Sequence, residues 1–143
     1  MFKTIVVGTD GSETADRAVG RTAELARLTG ARVHVVSAWA PAPLRVGADA
    51  VAEASEWALG SDAQVDGVLQ RTVARLRGEG LEIEDHAPKG DPADRIVEVA
   101  RHEQADLIVL GSKGMQGRRR VLGSVPNKVS HHAPCDLLIV HTG

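Results

Sequence analysis

The sequence predicts a doubly wound α/β sandwich, a parallel sheet with helices on both faces. Three observations carry this expectation. Short apolar runs alternate with longer amphipathic stretches along the chain. Three of those runs, Thr4-Ile5-Val6-Val7, Leu107-Ile108-Val109-Leu110 and Leu137-Leu138-Ile139-Val140, are continuous and aliphatic, the pattern of strands covered on both faces. The length of 143 residues, without internal repeat or low-complexity linker, suits one domain spanning residues 1–143.

The elements follow in order. Thr4-Ile5-Val6-Val7 is the first strand. Ser12 caps a helix that has Glu13 and Asp16 near its positive end. Ala15, Ala18, Val19, Thr22, Ala23 and Ala26 share one face of it, and Gly30 stops it. Arg32-Val33-His34-Val35-Val36-Ser37 is the second strand. A second helix carries Val65, Val68, Leu69, Thr72, Val73 and Leu76 at helical spacing and ends at Gly78 and Gly80. Leu81-Glu82-Ile83-Glu84-Asp85 is a weaker, alternating third strand. Asp91-Pro92 opens a third helix, Asp as cap and Pro in the first turn, with Ile96, Val97 and Ala100 on its inner face. Leu107-Ile108-Val109-Leu110 is the fourth strand. A short helix from Ser124 through Val129 precedes the fifth, Leu137-Leu138-Ile139-Val140. The connection from about Trp39 to Ser61, with Pro41 and Pro43, is long for such a domain.

Composition narrows the function classes. Hydrophobic residues make up 43% and charged residues 25% of the chain, ordinary values for a globular protein. There are 17 basic against 19 acidic residues, a net charge of −2, which gives no electrostatic footprint for nucleic acid or an anionic membrane. The aromatics are Phe2, Trp39 and Trp57 alone, too few for a stacking platform. Cys135 is the single cysteine, which excludes an internal disulfide and multi-cysteine zinc frameworks. No apolar stretch approaches about 18 residues, and only a short apolar run follows Lys3. The expectation is a cytoplasmic protein.

Two glycine-bearing segments follow apolar strands. Val7-Gly8-Thr9-Asp10-Gly11-Ser12 lies between the first strand and its helix. Gly111-Ser112-Lys113-Gly114-Met115-Gln116-Gly117 follows the fourth strand and leads through Arg118-Arg119-Arg120 to Gly123-Ser124. Ligands in open α/β sheets bind beyond the carboxyl ends of the strands, where strand order reverses. If the first and fourth strands are neighbours, the two segments converge on one crevice. Gly111 and Gly114 let backbone N–H groups approach an anion. Ser124 at a helix N-terminus adds a hydroxyl and a favourable dipole end. Lys113 and Arg118 to Arg120 add positive charge. Asp10 suits a ribose hydroxyl or a metal riding on phosphates. Singly, each feature also reads as a turn, a cap or a solvated loop; their convergence at a switch point favours a phosphate-bearing ligand.

Standard motifs fail on spacing. Gly8-Thr9-Asp10-Gly11 is not G-x-G-x-x-G, and neither a Walker A loop nor a G-x-S-x-G elbow is present. His131-His132 with Cys135 is a poor metal cluster, because adjacent helical residues point apart and Pro134 breaks the stretch. Cys135 reads as a small hydrophobe. His34 and His86 lie in or beside strands and need no function. Nothing supports an activated nucleophile, and no resident metal is expected.

These residues resemble the universal stress protein family over nearly the whole chain. Lys3-Thr4-Ile5-Val6-Val7-Gly8-Thr9-Asp10-Gly11-Ser12 resembles its first strand and turn, and Ala105-Asp106-Leu107-Ile108-Val109-Leu110-Gly111-Ser112 its fourth-strand entry. Gly123-Ser124-Val125-Pro126-Asn127-Lys128-Val129, Ala133-Pro134-Cys135 and the last apolar strand complete the likeness. The nucleotide-binding branch carries G-x2-G-x9-G-[ST]; here eight residues, Met115 to Leu122, separate Gly114 from Gly123. The missing residue falls in the arginine-bearing stretch, so the loop toward the outer phosphates is tighter. Such a loop is similar to that of actinobacterial members.

The resemblance implies a five-stranded parallel sheet in the order 3-2-1-4-5 and a Rossmann-like fold of the adenine nucleotide alpha hydrolase type. It implies ATP, with Mg on its phosphates near Asp10 allowed, and a regulatory role in stress response; because no residue is a persuasive general base for an attacking water and no arginine finger can be assigned, hydrolysis is expected to be slow at most. By family analogy Thr9 and Asp10 lie near the adenosine, Ala38 near the adenine, and Gly111, Gly114, Gly123, Ser124 and Val125 near the phosphates. Lys113, Arg118 and Arg119 are further phosphate candidates. It also implies a homodimer through Leu137-Leu138-Ile139-Val140, an apolar edge that pairing would cover. Two alternatives stay open: a cyclic AMP-binding member, and an interaction module that binds no nucleotide.

Overall fold

The computed structural model describes residues 1–40, 61–112 and 122–141. Along these run β1 (Thr4–Gly8), α1 (Glu13–Thr29), β2 (Arg32–Val36), α2 (Asp62–Arg77), β3 (Ile83–His86), α3 (Pro92–His102), β4 (Leu107–Gly111), α4 (Ser124–His132) and β5 (Asp136–Val140). The strands form one five-stranded sheet in the order β3-β2-β1-β4-β5, and every pairing is parallel. The long connection predicted from Trp39 to Ser61 falls mostly outside the described residues. Among the described residues no helix is long and apolar enough to cross a membrane.

Alternation along each strand divides the core between the sheet's two faces. Ile5, Val7, Val33, Val35, Leu107 and Val109 meet Ala18, Val19, Ala23 and Ala26 of α1 and Val65, Leu69 and Leu76 of α2. Val6, Val36, Ile108 and Leu110 meet Ala93, Ile96, Val97 and Ala100 of α3 and Val125 and Val129 of α4. Leu76 is fully buried, so truncating it to alanine costs about 2–5 kcal/mol.

The predicted caps Ser12, Asp91 and Gly30 are in place, and Ser61 supplies one that was not predicted. Ser12 Oγ accepts from the Ala15 N–H at 3.2 Å, Ser61 Oγ from the Gln64 N–H at 3.2 Å, and Asp91 Oδ2 from the Asp94 N–H at 3.0 Å. Gly30 closes α1 by donating its N–H to Ala26 at 2.8 Å. Lys128 ties α4 to the start of α3, with Nζ 3.2 Å from Asp91 Oδ2 and 3.0 Å from Asp94 Oδ1. Those bonds, Asp94 first, raise the Lys128 pKa above its ordinary value.

The third strand departs from the prediction. It begins at Ile83, not Leu81, and runs on to His86. Pairing with β2 sets these limits: Val33 opposes Ile83, and Val36 opposes His86. The Ser37 N–H then bonds to the His86 carbonyl at 3.1 Å. Ser37 itself lies just past β2, and β5 takes in Asp136 because that residue pairs with Leu107.

The two edges of the sheet differ. β3 has four residues, with Glu84 and Asp85 exposed. β5 carries Leu137, Leu138 and Ile139, all half-buried. Beside β5, Phe2, Leu25, Leu107, Leu137 and Leu138 line a shallow apolar groove together with Asp136.

Candidate functional site

The reversal of strand order lies between β1 and β4. Their pairing, Ile5 with Leu107 through Val7 with Val109, supplies the adjacency that the sequence reading had to assume. Chain leaves β1 toward β2 on one side and β4 toward β5 on the other, which opens a crevice at the carboxyl ends of the two central strands.

On the β1 side the turn is held by its own side chains. Thr9 is buried, and its N–H donates to the Val36 carbonyl at 3.0 Å. Thr9 Oγ1 accepts from the Gly11 N–H at 3.1 Å, and Asp10 Oδ1 accepts from the Ser12 N–H at 3.0 Å. These are successive side-chain turns, and they fix the half-buried Asp10 carboxylate at the mouth of the crevice. Gly11 has φ +80°, and a Cβ there would lie 2.7 Å from Val68 Cγ2, so the turn demands glycine. Gly8 permits close approach as well: a Cβ would come within 2.7 Å of Ile96 Cδ1 and 2.9 Å of Leu110 Cδ2.

On the β4 side, Gly111 ends the strand opposite Val140, and the Ser112 N–H donates to the Val140 carbonyl at 2.9 Å. Gly123 is the N-cap of α4, with no side-chain hydrogen bond capping the helix. Ser124 and Val125 are the first two helical residues, so Ser124 is not itself the cap. Pro126 follows, and the Asn127 N–H already bonds to the Gly123 carbonyl at 3.0 Å. The N–H groups of Ser124 and Val125 thus form the positive end of the α4 dipole. Val125 and Val129 seat the helix on Val6, Ile108 and Leu110.

The remaining wall comes from the end of β2. Ala38 is buried. Trp39 forms an isolated bridge with Lys89, whose Nζ stands 5.7 Å from the centroid of the indole ring. The Trp39 ring is thereby engaged with a lysine and packed partly on the α1–α2 core. The sequence reading passed over Ser37: it is buried, and its hydroxyl has no hydrogen-bond partner among the described residues. Its position between Val36 and Ala38 was the available signal.

Thr9, Asp10, Ala38, Gly111, Gly123, Ser124 and Val125 therefore sit on segments that leave the carboxyl ends of β1, β2 and β4 or open α4. Gly114, Lys113, Arg118 and Arg119 lie outside the described residues, as does Arg120. A separate groove between α3 and α4, lined by Ala93, Asp94, Val97, Lys128 and His132 among others, contains none of the predicted site residues. Cys135 is half-buried, and burial pushes its thiol above the ordinary range, in keeping with a packing role. Chemically the crevice offers backbone donors at a helix start, hydroxyls and a fixed carboxylate, which suits a ligand carrying phosphate and ribose.

The comparisons with known proteins agree with this architecture. Residues 1–141 match the model of the universal stress protein family. The universal stress protein Rv1636 of Mycobacterium tuberculosis is 36% identical over 143 residues, covering 99% of this chain and 97% of its own. A universal stress protein crystallised in complex with cAMP superposes with a TM-score of 0.77 at 33% identity, covering 99% of this chain and 98% of the other. The universal stress protein from Archaeoglobus fulgidus in complex with dAMP gives a TM-score of 0.71 at 28% identity, covering 96% and 97%. The sheet order, the helices on its two faces and these neighbours identify the adenine nucleotide alpha hydrolase fold. With residues 1–141 matched by the family model and a relative 36% identical across 99% of the chain, the chain belongs to the universal stress protein family.

Proposed function

We propose that the chain, as one domain over residues 1–143, binds an adenine nucleotide between the carboxyl ends of β1 and β4, with ATP its preferred ligand. The observation that carries this reading is the adjacency of β1 and β4, which brings the Thr9–Ser12 side-chain turn and the Gly123–Val125 helix start to one switch point. Neighbours crystallised with cAMP and dAMP support an adenine ligand. In this reading Thr9 and Asp10 meet the ribose, Ala38 the adenine, and Gly111, Gly114, Gly123, Ser124 and Val125 the phosphates. Lys113, Arg118 and Arg119 add charge, and Asp10 stands where Mg on the phosphates would be held. The fixed carboxylate and helix start are equipment for binding, so the protein acts as a cytoplasmic stress-response regulator with at most slow hydrolysis, paired with a second copy along β5.

Cyclic AMP is the second reading. A neighbour at 33% identity was crystallised with it, and the loop before Gly123 is one residue shorter than G-x2-G-x9-G-[ST] requires.

Equilibrium titration of nucleotide-free protein with ATP, ADP, AMP and cyclic AMP separates the two. Expected is the tightest binding for ATP, falling as phosphates are removed, and a loss of at least about tenfold in Gly114→Ala (1.4 kcal/mol per decade). Tighter binding of cyclic AMP selects the second reading. ATP affinity unchanged in both Gly114→Ala and Asp10→Ala overturns the site.

A further inference from the structure

On the α3 face of the sheet, away from the crevice, three side chains from separate segments meet. His34 comes from β2, His86 from the end of β3 and Glu103 from the residue after α3. One ring nitrogen from each histidine and a carboxylate oxygen of Glu103 all lie within 4.8 Å of one another. His34 is 1% exposed. Its Nδ1 is 2.9 Å from His86 Nε2. Its Nε2 is buried with no hydrogen-bond partner among the described residues and faces Glu103 Oε1 at 3.7 Å.

A buried polar atom without a partner costs roughly 1–3 kcal/mol, so it asks for an explanation. The surroundings supply one. His102 Nδ1 holds Glu103 Oε2 at 3.0 Å, which turns Oε1 toward the orphan nitrogen. On the other side of the ring, Glu84 Oε2 lies 3.6 Å from His34 Nδ1. Burial holds the His34 pKa below its ordinary value, which favours the neutral ring that metals bind. The carboxylates of Glu103 and Glu84 also balance a dication. Arg32, the nearby cation, is engaged with Glu82 at 3.0 Å.

We propose that His34, His86 and Glu103 form a binding site for a first-row transition-metal dication of the zinc class. Two imidazoles and one carboxylate are a common zinc donor set, and a water completes the tetrahedron. Ligand atoms around tetrahedral zinc stand about 3.3 Å apart, given bonds of about 2.0–2.1 Å. His86 and Glu103 are only half-buried, so they can close by about an ångström while His34 stays seated. The ion enters at the β3 edge, where these two side chains reach solvent. The site links β2, β3 and the end of α3 and is independent of the nucleotide reading.

The test uses untagged, chelator-stripped protein titrated with Zn²⁺, and with Co²⁺ as an optical probe. Expected are one ion per chain, a ligand-field spectrum of low-coordinate Co²⁺ and a raised Tm. His86→Ala and Glu103→Gln should each weaken binding more than about a hundredfold, beyond the roughly 10–100-fold loss of a merely supporting residue. Both replace half-buried side chains, and circular dichroism checks that they fold. Failure of wild-type protein to bind Zn²⁺ overturns the proposal. So does binding that both variants retain, which would place the ion on His131, His132 or another surface histidine.

Discussion

Asp106 grips the backbone of Lys3 across the start of the sheet: its Oδ2 and Oδ1 accept from the Lys3 N–H at 2.9 and 3.2 Å. Oδ1 also accepts from the Thr4 N–H at 3.2 Å, and the Asp106 N–H returns to the Thr4 carbonyl at 3.0 Å. One side chain at the entrance of β4 thus sets the start of β1. Charge-assisted bonds of this kind are worth about 1.5–3 kcal/mol each when sheltered, less here because Lys3 is exposed. Asp106→Ala should lower stability by about 1–2 kcal/mol, and Asp106→Asn should recover part of it. Urea denaturation checks both; unchanged midpoints would show the grip to be incidental.

Gly11→Ala should cost about 1–3 kcal/mol. The left-handed backbone alone accounts for about 1–2 kcal/mol, and the new methyl meets a stiff, β-branched Val68. Nucleotide affinity should fall along with stability, because the same turn fixes Asp10. Thermal melting and an ATP titration on one sample read both effects. A stable variant with full affinity would contradict the turn's role.

Leu138→Lys should convert a dimer into a monomer, if β5 is the pairing edge as proposed. The leucine is half-buried on β5 beside the apolar groove, and a charge there opposes pairing. Light scattering after size exclusion gives the mass. A wild-type monomer, or a variant that stays dimeric, rules that edge out.

The Lys128 bridge should contribute to stability at neutral pH and fade only in strong alkali. Its folded-state pKa is raised, so its contribution is complete below the unfolded lysine value and is lost as pH rises through the folded one. The side chain is 45% exposed, which limits the effect to about 1 kcal/mol or less. Lys128→Met and wild type should differ slightly at pH 7 and converge as pH rises past the ordinary lysine range. A difference that grows with pH has the wrong sign for this bridge.

Much of this structure was legible in the chain. Ile5-Val6-Val7 and Ile108-Val109-Leu110 have a strand's apolar continuity, and Ser12, Asp91-Pro92 and Gly30 mark helix ends by local chemistry. Adjacency was not: no local signal says that β4 inserts between β1 and β5, and it entered only through a family resemblance. Leu81 invited an early start to β3, because an apolar residue beside an alternating pattern looks like strand until the partner's register is known. His34 and His86 are 52 residues apart, and only the pairing of β2 with β3 puts them in contact. Read singly, each was a histidine near a strand and nothing more.

The unlike edges of the sheet have a consequence for how far assembly can run. β5 offers leucine and isoleucine, while β3 offers a short strand bearing exposed carboxylates. Two copies that meet across a two-fold axis at β5 consume the apolar edge of both. The combined sheet then ends on β3 at either side, where acidic rims repel a further copy. If β5 is the pairing edge, growth stops at a closed pair and the open parallel sheet does not extend into a filament.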